Sequence, residues 1–473
     1  MERNITISEQ IDRDYRNYAL YVIQSRGIPN FYDSLTPVQR LILLNSPSSL
    51  KKTVGVIGEV FSTGLYHHGD TSMAKAISKL ARPFGCSDQI LIGDGFFGSP
   101  VNPNPAAARY TQVKISNKYK DLIEKYKDLN VVNEEGGNDW INLDYPIGLA
   151  THIVGIAVGY KSNVLPRKHE DVFSYLTSKN KKPVKPHFKG FKGKITRINS
   201  LRSSWLIEGE TEIDPDNKIF KIDSISPLQS YKQFFDRLNN LLEKSLLNYK
   251  IENFSTDQVK MTIKFRCIDQ EFKSISEKIS NETKQIVTEN IVFVKDGNVL
   301  EYDCIEDYLD DFIPHKNLVL LKRLEKDLSY LDFDLQYLEA KLKFLIFMSD
   351  KKRDTKEVTE FLSQFQKEIS RRLESISLTR LTKEEIIKTK EEINQCKSDI
   401  KDKNQQIKIQ NELLNESLKL NKELIKNRIK NKSNLLLSDS THNEEYYNGI
   451  RIFNPDELEL ENEEQIETDT ENE

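Results

Sequence analysis

Two long stretches of regular apolar spacing dominate the second half of the chain. Leucines recur at alternating steps of four and three residues from Leu324 to Leu345, and an apolar residue recurs every seven residues from Ile386 to Leu414. Both spacings are typical of a coiled-coil seam, and the opposite faces are rich in Lys, Glu, Asn and Gln. The pattern predicts two long helices that pack antiparallel as one arm, with a short helical segment between them. A plain surface helical hairpin is the alternative.

Short helices separated by turns are predicted for the first part of the chain. "LTPVQRLILLN" starts with Thr36 as N-cap and Pro37 at the first helical position. "TVGVIGEVFSTG" predicts a second helix, and "DTSMAKAISKLARPF" a third, capped by Asp70 or Thr71. Three short helices before the Gly-rich, strand-like "ILIGDGFFGSP" favour a winged-helix (helix-turn-helix) unit.

Mixed α/β structure is predicted in the middle of the chain. Strand-like runs such as "THIVGIAVGY", "GKITRI" and "VKMTIKFRC" are punctuated there by Gly, Pro and Asn. With the arm, this makes an α+β multidomain chain. The expected segments are 1–120 (winged helix), 121–312 (mixed α/β), 313–348 (first arm helix), 349–382 (small helical globule), 383–435 (return helix) and 436–473 (acidic tail without stable structure).

Composition excludes several classes of protein. The chain is 37% hydrophobic with a mean hydropathy of −0.57, and no apolar run approaches the roughly 18 residues of a membrane span. The polar N-terminus is unlike a signal peptide. The four cysteines, Cys86, Cys267, Cys304 and Cys396, are scattered without a CxxC pair. We therefore expect no zinc site or disulfide framework, no membrane association and a reducing compartment.

Charge is distributed unevenly behind a net charge of −4. Residues 1–120 hold 14 Lys/Arg against 9 Asp/Glu, and residues 172–207 hold nine Lys/Arg and no acid. Residues 456–473 hold ten acids and no base. A basic body with an acidic tail indicates a polyanion partner, with the tail as a solvating or competing segment. A merely solvated basic face is the alternative.

Four short stretches place basic and nucleophilic groups in the first part of the chain. They are "RGIPNFYDSLTPVQR" with Arg26 and Arg40, "KKTVGVIGEV" with Lys51 and Lys52, "YHHGD" with His67 and His68, and "AAARYT" with Arg109, Tyr110 and Thr111. Each is weak alone, because a histidine pair is more often structural than catalytic and an Arg-Tyr dipeptide is common by chance.

In this order, the four stretches resemble the breakage-reunion (A) subunit of type IIA DNA topoisomerases. "GDGFFGS", "GIAVGYKSNVLPRKHEDV" and "KPHFKGFKGKI" continue the resemblance over about residues 15–200. The motif forms are most similar to the medium subunit of large-phage topoisomerases, and also resemble the A subunits of gyrase and topoisomerase IV. The resemblance implies a DNA-cleavage domain, a tower domain and a C-gate globule for residues 1–120, 121–312 and 349–382.

Transesterification is the chemistry that the resemblance implies. Tyr110 would attack a DNA phosphodiester and hold the strand as a 5′-phosphotyrosine. Because a phenol with a pKa near 10 is a weak nucleophile at neutral pH, the site must stabilise the phenolate and the charge of the transition state. Arg109 is the adjacent candidate, and by similarity Arg26, Arg40 and His68 act from the partner protomer.

Further residues are expected to bind DNA without reacting. Lys51 and Lys52 would hold phosphates as point charges, and Thr111 is assigned to the same DNA surface. His67 is assigned to packing or to binding of the DNA backbone. Ile156 in "GIAVG" matches the residue that wedges between base pairs and bends the duplex. The alternative for Ile156 is a buried strand residue.

The resemblance also implies Mg²⁺, bound mainly by an acidic cluster on a partner subunit, and ATP hydrolysed on that partner. This sequence shows no DxDxxD-type cluster after a strand and no glycine-rich ATP-binding loop. We therefore expect a homodimer on double-stranded DNA that joins a separate ATPase/TOPRIM subunit in a heterotetramer-like complex. Without the β-pinwheel of gyrase, relaxation and decatenation are expected rather than supercoiling. The expected location is cytoplasmic, at the nucleoid, and the phage-like motif forms point to an infected bacterium.

Some positions depart from the family pattern. Thr36 stands where a DNA-contacting lysine is usual, Leu41 replaces a second arginine, and Ile92 and Asp94 alter the glycine-rich motif. Less positive charge there is expected to weaken cleavage or change DNA preference. A non-catalytic DNA-binding or bridging protein of the same architecture is therefore the rival hypothesis. A coiled-coil scaffold unrelated to DNA is a third, and the acid-free basic run argues against it.

Overall fold

The computed structural model describes residues 7–23, 27–134, 136–199, 202–350, 354–376, 383–435 and 451–452. The chain divides into two compact units, Met1–Ile313 with Ile429–Glu473, and Pro314–Arg428. Helices and sheets both occur in the first unit, and every regular element in the described part of the second unit is a helix. The mixed α+β class is therefore confirmed. No helix among the described residues is long and apolar enough to cross a membrane.

Helices and a small sheet alternate at the start of the first unit. The helices are α1 (Ile7–Val22), α2 (Pro37–Leu44), α3 (Thr53–Ser62), α4 (Asp70–Ala81) and α5 (Asn117–Tyr126). The strands are β1 (Lys51–Lys52), β2 (Leu91–Asp94) and β3 (Gln112–Ile115), which form an antiparallel sheet in the order β1-β3-β2. Helices α2, α3 and α4 pack on one another through apolar faces that include Ile42, Val56 and Ile77, all fully buried. Three helices and a sheet therefore occupy the region where the winged-helix unit is predicted.

The caps of two helices can be compared with the sequence prediction. Thr36 caps α2 as predicted: its hydroxyl accepts from Gln39 N at 3.5 Å, and Thr36 N donates to Gln39 Oε1 at 3.0 Å. Helix α4 differs, because its N-cap is Gly69, which has no side chain to cap with. Asp70 is the first helical residue, and its carboxylate accepts from Thr71 N at 2.8 Å. The predicted Asp70 or Thr71 cap is therefore wrong by one or two residues.

Two four-stranded sheets and two hairpins follow. Their strands are β4 (Ile153–Ala157), β5 (Tyr160–Val164), β6 (Lys194–Asn199), β7 (Ser204–Glu208), β8 (Thr211–Asp214), β9 (Ile219–Ile222), β10 (Asn248–Asn253), β11 (Met261–Arg266), β12 (Lys284–Thr288), β13 (Ile291–Lys295), β14 (Asn298–Tyr302) and β15 (Arg451–Ile452). The sheet orders are β10-β11-β9-β8 and β15-β12-β7-β6, and β4-β5 and β13-β14 are antiparallel hairpins. The predicted strand runs all form strands.

Three further helices belong to this region: α6 (His169–Thr177), α7 (Tyr231–Ser245) and α8 (Asp269–Glu282). Helices α7 and α8 pack on the sheet that contains β11 through apolar faces. In β11 every second side chain points inward, and these residues share one core with α7 residues spaced four apart. The members of that core from the two elements are Met261, Ile263, Phe265, Phe234, Leu238 and Leu242.

A buried ion pair joins the hairpin β4-β5 to the sheet that contains β7 and β12. Arg167 Nη2 donates to Glu289 Oε2 at 2.6 Å, and neither side chain is exposed to solvent. Glu289 also accepts from Trp205 Nε1 at 2.8 Å and from Leu165 N at 2.7 Å. The remaining guanidinium nitrogens donate to the carbonyl oxygens of Leu165 and Val184. Each charge is therefore paired and hydrogen-bonded, as burial requires.

Two long antiparallel helices form most of the second unit. They are α9 (Ile305–Asp350) and α12 (Lys383–Leu435). Going along α9, Asn317 contacts Leu413, Asp327 pairs with Lys403 at 3.3 Å, and Lys341 pairs with Glu385 at 2.7 Å. The partners run backwards along α12, which is the antiparallel arrangement predicted from the spacing.

The boundaries of these helices differ from the prediction. Helix α9 begins at Ile305, before the predicted start of the arm, and contains Pro314, where the second unit begins. Between the long helices, α10 (Thr355–Leu362) and α11 (Lys367–Glu374) pack on α9 in a small core of Phe344, Leu362 and Ile369 with their neighbours. Residues 377–382 and all of the acidic tail but 451–452 lie outside the described residues.

Candidate active site

Tyr110 lies on an exposed turn immediately before β3. Its side chain is 65% exposed, and its backbone N donates to Ala107 O at 2.8 Å. The guanidinium carbon of Arg109 lies 5.0 Å from the centroid of the Tyr110 ring. A hydrogen bond from Arg109 and, after it, the charge of that guanidinium lower the pKa of Tyr110 below its ordinary value. The phenol is thus both accessible and biased toward its nucleophilic form.

Helix α3 holds this turn in place. The hydroxyls of Thr53 and Thr111 lie 2.8 Å apart in the interior, and Thr53 N donates to Thr111 O at 3.0 Å. Val54 N donates to Ala108 O at 3.4 Å. Thr111 is only 2% exposed, which leaves its side chain no surface for DNA. The predicted DNA contact by Thr111 is therefore corrected: its hydroxyl anchors the residue that follows Tyr110.

Lys51 and Lys52 lie beside the same turn. Strand β1 pairs with β3, so that Lys51 is opposite Val113 and Lys52 is opposite Gln112. Lys52 is exposed, and Lys51 forms an ion pair with Glu59 on α3. The sheet therefore brings both predicted phosphate-binding lysines within a few residues of Tyr110.

Arg40 is buried rather than exposed. It is 4% exposed, and it binds Asp33 through two hydrogen bonds, Nε to Oδ2 at 2.7 Å and Nη2 to Oδ1 at 3.0 Å. Asp33 is fully buried and also accepts from the backbone nitrogens of Leu35 and Ile141. In this structure the Arg40 guanidinium orders the loop before α2 and joins it to the segment at Ile141.

The two histidines of "YHHGD" precede α4. His67 is exposed, whereas His68 is partly buried and its ring lies 5.4 Å from that of Tyr66 in an edge-on arrangement. Tyr66 is buried and donates to Gly69 O at 3.3 Å. Arg26, predicted to act with His68, lies outside the described residues.

Ile156 projects from the hairpin β4-β5. It is opposite Lys161 in the ladder and 48% exposed. The alternative of a buried strand residue is therefore excluded. An exposed, stiff apolar side chain on a two-stranded hairpin is suited to insertion between base pairs.

The hairpin touches the segment at Gly27 backbone to backbone. A Cβ on Gly155 would lie 2.1 Å from Gly27 O, and a Cβ on Gly27 would lie 2.2 Å from Ile156 O. Neither position has room for a side chain. This contact fixes Ile156 against the residue that follows Arg26 in the chain.

Gly155→Ala is expected to lower the free energy of unfolding by about 1–3 kcal/mol, because the methyl group overlaps a backbone oxygen that cannot rotate away. Denaturant unfolding measures the change. Gly58→Ala in α3 is the matched control: an added Cβ there meets no atom within 4 Å, so it is expected to be neutral or stabilising. Equal effects of both changes would contradict the close approach.

Most of the chain matches one family of DNA enzymes. Residues 26–421 fit the family model that describes the A subunit of DNA gyrase and topoisomerase IV. The chain belongs to this family. The match covers both the turn of Tyr110 and the long antiparallel helices, so membership applies to most of the chain.

Three relatives show how the similarity is distributed. The DNA gyrase A protein of Spiroplasma citri is 32% identical over 195 residues, covering 38% of this chain and 85% of that one. The DNA topoisomerase medium subunit of Enterobacteria phage T4 is 25% identical over 394 residues, 76% of this chain and 86% of that one. The DNA gyrase A protein of Borreliella burgdorferi is 35% identical over 184 residues, but the chain spans only 22% of its length.

A solved structure supports the same architecture. The DNA-binding, cleavage and re-ligation domain of Plasmodium falciparum topoisomerase II superposes with a TM-score of 0.71 at 20% identity. The superposition covers 90% of this chain and 66% of that one. At this identity the likeness establishes the fold alone, and that fold agrees with the family found from the sequence.

Several residues that build the site escape sequence reasoning. Thr53, Asp33 and Gly155 all lie within or next to the quoted motifs, but nothing in their type predicts their partners. The useful signal was the motif itself: Asp33 stands seven residues before Arg40, and Gly155 directly precedes Ile156. No group of three or more His, Cys, Asp or Glu in the described part of the chain could hold a metal ion.

Proposed function

We propose that the chain is the DNA-cleavage and rejoining subunit of a type IIA topoisomerase. Two copies each contribute one Tyr110, and the two tyrosines cut opposite strands of one duplex. A second duplex passes through the break, with relaxation and decatenation as the net reactions. The proposed site of action is DNA in the cytoplasm.

One observation carries this proposal. Tyr110 is exposed on a turn whose backbone is anchored by the buried Thr53–Thr111 pair, and Arg109 lies against its ring. A nucleophile needs this combination of free approach, fixed position and a cation that favours the phenolate.

The reaction balances as a transesterification. The phenolic oxygen of Tyr110 forms a bond to phosphorus, the bond from phosphorus to the 3′ oxygen breaks, and that oxygen takes a proton to become a 3′ hydroxyl. The phenolic proton is released. Rejoining reverses each step, so no bond energy is lost. Arg109 is placed to stabilise the phenolate and the negative charge that develops on the phosphate oxygens.

Metal and nucleotide belong to a partner in this proposal. The described residues of this chain offer no ligand set for Mg²⁺, so no step is assigned to a metal held here. By family membership, a separate ATPase/TOPRIM subunit supplies Mg²⁺ and ATP hydrolysis, and the assembly contains two copies of each chain. Lys51 and Lys52, with His67 and Ile156, are proposed to hold the DNA.

The rival function is that of a non-catalytic DNA-bridging protein. The burial of Arg40 against Asp33 supports it, because a buried Arg40 is not placed to act in cleavage. One experiment separates the two. The chain, the partner subunit, Mg²⁺ and supercoiled plasmid are mixed, stopped with detergent and digested for mass spectrometry. The expected result is DNA attached to the peptide that contains Tyr110. DNA bound without an adduct, or an adduct on another residue, rejects the cleavage function.

Arg109→Gln is expected to shift the pH dependence of the cleavage rate, so that the rate begins to rise at a higher pH than in the native chain. Arg109 lowers the pKa of Tyr110, so the native phenolate forms at lower pH than an ordinary tyrosine; removing that hydrogen bond and charge returns the pKa toward its usual value. The initial rate of adduct formation as a function of pH measures the shift. Arg109→Lys, which keeps the charge, is expected to shift the pH dependence less. An unchanged pH dependence in Arg109→Gln contradicts this role.

A further inference from the structure

Arg82 has no counter-ion within the described part of the chain. It is the C-cap of α4, and its guanidinium carbon lies 5.2 Å from the centroid of the Phe84 ring. Its Nε is buried, and none of the described residues accepts a hydrogen bond from it. The residue as a whole is partly exposed, and of its guanidinium nitrogens only Nε is both buried and without an acceptor among the described residues.

The groups around Arg82 do not supply the missing negative charge. Burial lowers the pKa of Arg82, and the opposing influence is the Cys86 thiol. Burial raises the pKa of that thiol to about 11, which leaves it neutral at neutral pH. His152 is also neutral, because burial and then the charges of Arg82 and Lys79 lower its pKa to about 4.

An unpaired cation of this kind lowers the stability of the folded chain, and no contact within the described fold explains why it is kept. Charges taken out of water are normally paired, and an isolated one is strongly destabilising. The stacking on Phe84 offsets only part of that cost, because a cation over an aromatic ring gains less than a paired charge does. An anion from outside the chain would complete the site.

The chain near Arg82 is connected to the hairpin that carries Ile156. Cys86 forms a backbone bridge with Thr151, which leads through His152 into β4. Ile156 stands four residues beyond His152, about 13 Å along a strand at about 3.3 Å per residue.

The acid-free basic run, residues 172–207, also contacts the residues that follow Arg82. Lys189 N donates to Cys86 O at 2.7 Å, and His187 Nδ1 lies 2.8 Å from Ser87 Oγ. The residues that follow Arg82 at the end of α4 therefore contact both the segment that leads into the hairpin of Ile156 and the part of the basic run at His187 and Lys189. The proposed function places the hairpin of Ile156 on DNA, and the acid-free basic run indicates a polyanion partner.

We propose that Arg82 binds a backbone phosphate of the cleaved duplex, on the DNA arm next to the step that meets Ile156. This proposal rests on the proposed function, because it requires the DNA to run along the β4-β5 hairpin. The contact fixes the path of the DNA arm beyond the bend and carries no base information. It also restores positive charge to a DNA surface from which Thr36 and Leu41 remove it.

Arg82→Gln tests the proposal by the salt dependence of duplex binding in the presence of the partner subunit. Loss of one phosphate contact is expected to reduce the slope of log K against log salt by about 0.9 and to weaken binding about tenfold at low salt. Arg82→Lys is expected to retain most of the slope. Arg266→Gln, an exposed arginine at the end of β11, is the matched control and is expected to leave the slope unchanged.

Thermal unfolding separates a ligand site from a structural one. Because Arg82→Gln removes an uncompensated charge, its melting temperature without DNA is expected to equal or exceed the native value. An unchanged salt slope overturns the proposal, whether or not the melting temperature falls. A second result also overturns the proposal. If inorganic phosphate stabilises the native chain but not Arg82→Gln, and the change leaves duplex binding unaltered, Arg82 belongs to a site for small anions.

The outcome for Arg82 is distinguishable from that for Tyr110. An unchanged slope together with a normal adduct on Tyr110 removes only the Arg82 site. A reduced slope without any adduct supports the phosphate contact and removes the cleavage function.

Discussion

Tyr110→Phe is expected to abolish covalent capture of DNA while leaving duplex affinity near the native level. The change deletes one oxygen, the atom that would bond to phosphorus, and keeps the ring against which Arg109 lies at 5.0 Å. Removal of a catalytic nucleophile lowers the rate on the order of 10⁴-fold or more. Adduct formation and plasmid relaxation should therefore both fall below detection. Because the side chain is 65% exposed, stability should not change.

Tyr330→Phe is the control for this result. Tyr330 is 49% exposed on α9, far along the sequence from the turn of Tyr110, and its change is expected to leave adduct formation and relaxation at native levels. Gel quantification of detergent-trapped plasmid compares the variants. Equal adduct from the native chain and Tyr110→Phe would show that another residue is the nucleophile.

Glu289→Ala is expected to lower the free energy of unfolding by about 3–5 kcal/mol. The side chain is completely buried and neutralises Arg167, so its loss leaves a guanidinium without a counter-charge in the interior. It also deprives Trp205 Nε1 and Leu165 N of their acceptor. Denaturant unfolding followed by tryptophan fluorescence is the measurement, because Trp205 touches the altered carboxylate.

Glu212→Ala is the matched control for the buried pair. Glu212 pairs with Lys221 at 3.0 Å on an exposed sheet face, and exposed pairs contribute about 0–1 kcal/mol. The double change Arg167→Met with Glu289→Leu is expected to recover part of the loss, since replacing both charges removes the uncompensated one. A loss as small for Glu289→Ala as for Glu212→Ala would contradict the argument.

Local patterns allowed much of the fold to be predicted. The Thr36 cap depends on residues within three positions, and the helices of the arm depend on a repeat that the sequence itself displays. The residue type of Ile156 did not predict whether its side chain is exposed, because a strand residue in an apolar run is buried or exposed according to what covers the sheet. The motif resemblance, rather than periodicity, favoured the exposed position.

The long-range partners were beyond sequence reasoning. Arg40 was expected to act in cleavage from the partner protomer, yet its guanidinium binds the Asp33 carboxylate, which Ile141 N also holds from more than a hundred positions along the chain. Thr111 was assigned to DNA, but a 2.8 Å contact between its hydroxyl and that of Thr53 turns the side chain inward. Residue types reveal that a charge or hydroxyl needs a partner, while only the packed chain selects which one.

The anchoring of Thr111 to Thr53 has a mechanical consequence for the proposed reaction. Once the strand is severed, any tension that opens the break is transmitted through the phosphotyrosine to the turn of residues 108–111. From there it reaches β3, which is flanked on both sides by antiparallel partners, and α3 through the threonine pair. Tension along β3 would have to shear several hydrogen bonds at once instead of unzipping them singly. The broken DNA end would therefore move with the body of the domain, and its position for rejoining would survive the passage of the second duplex.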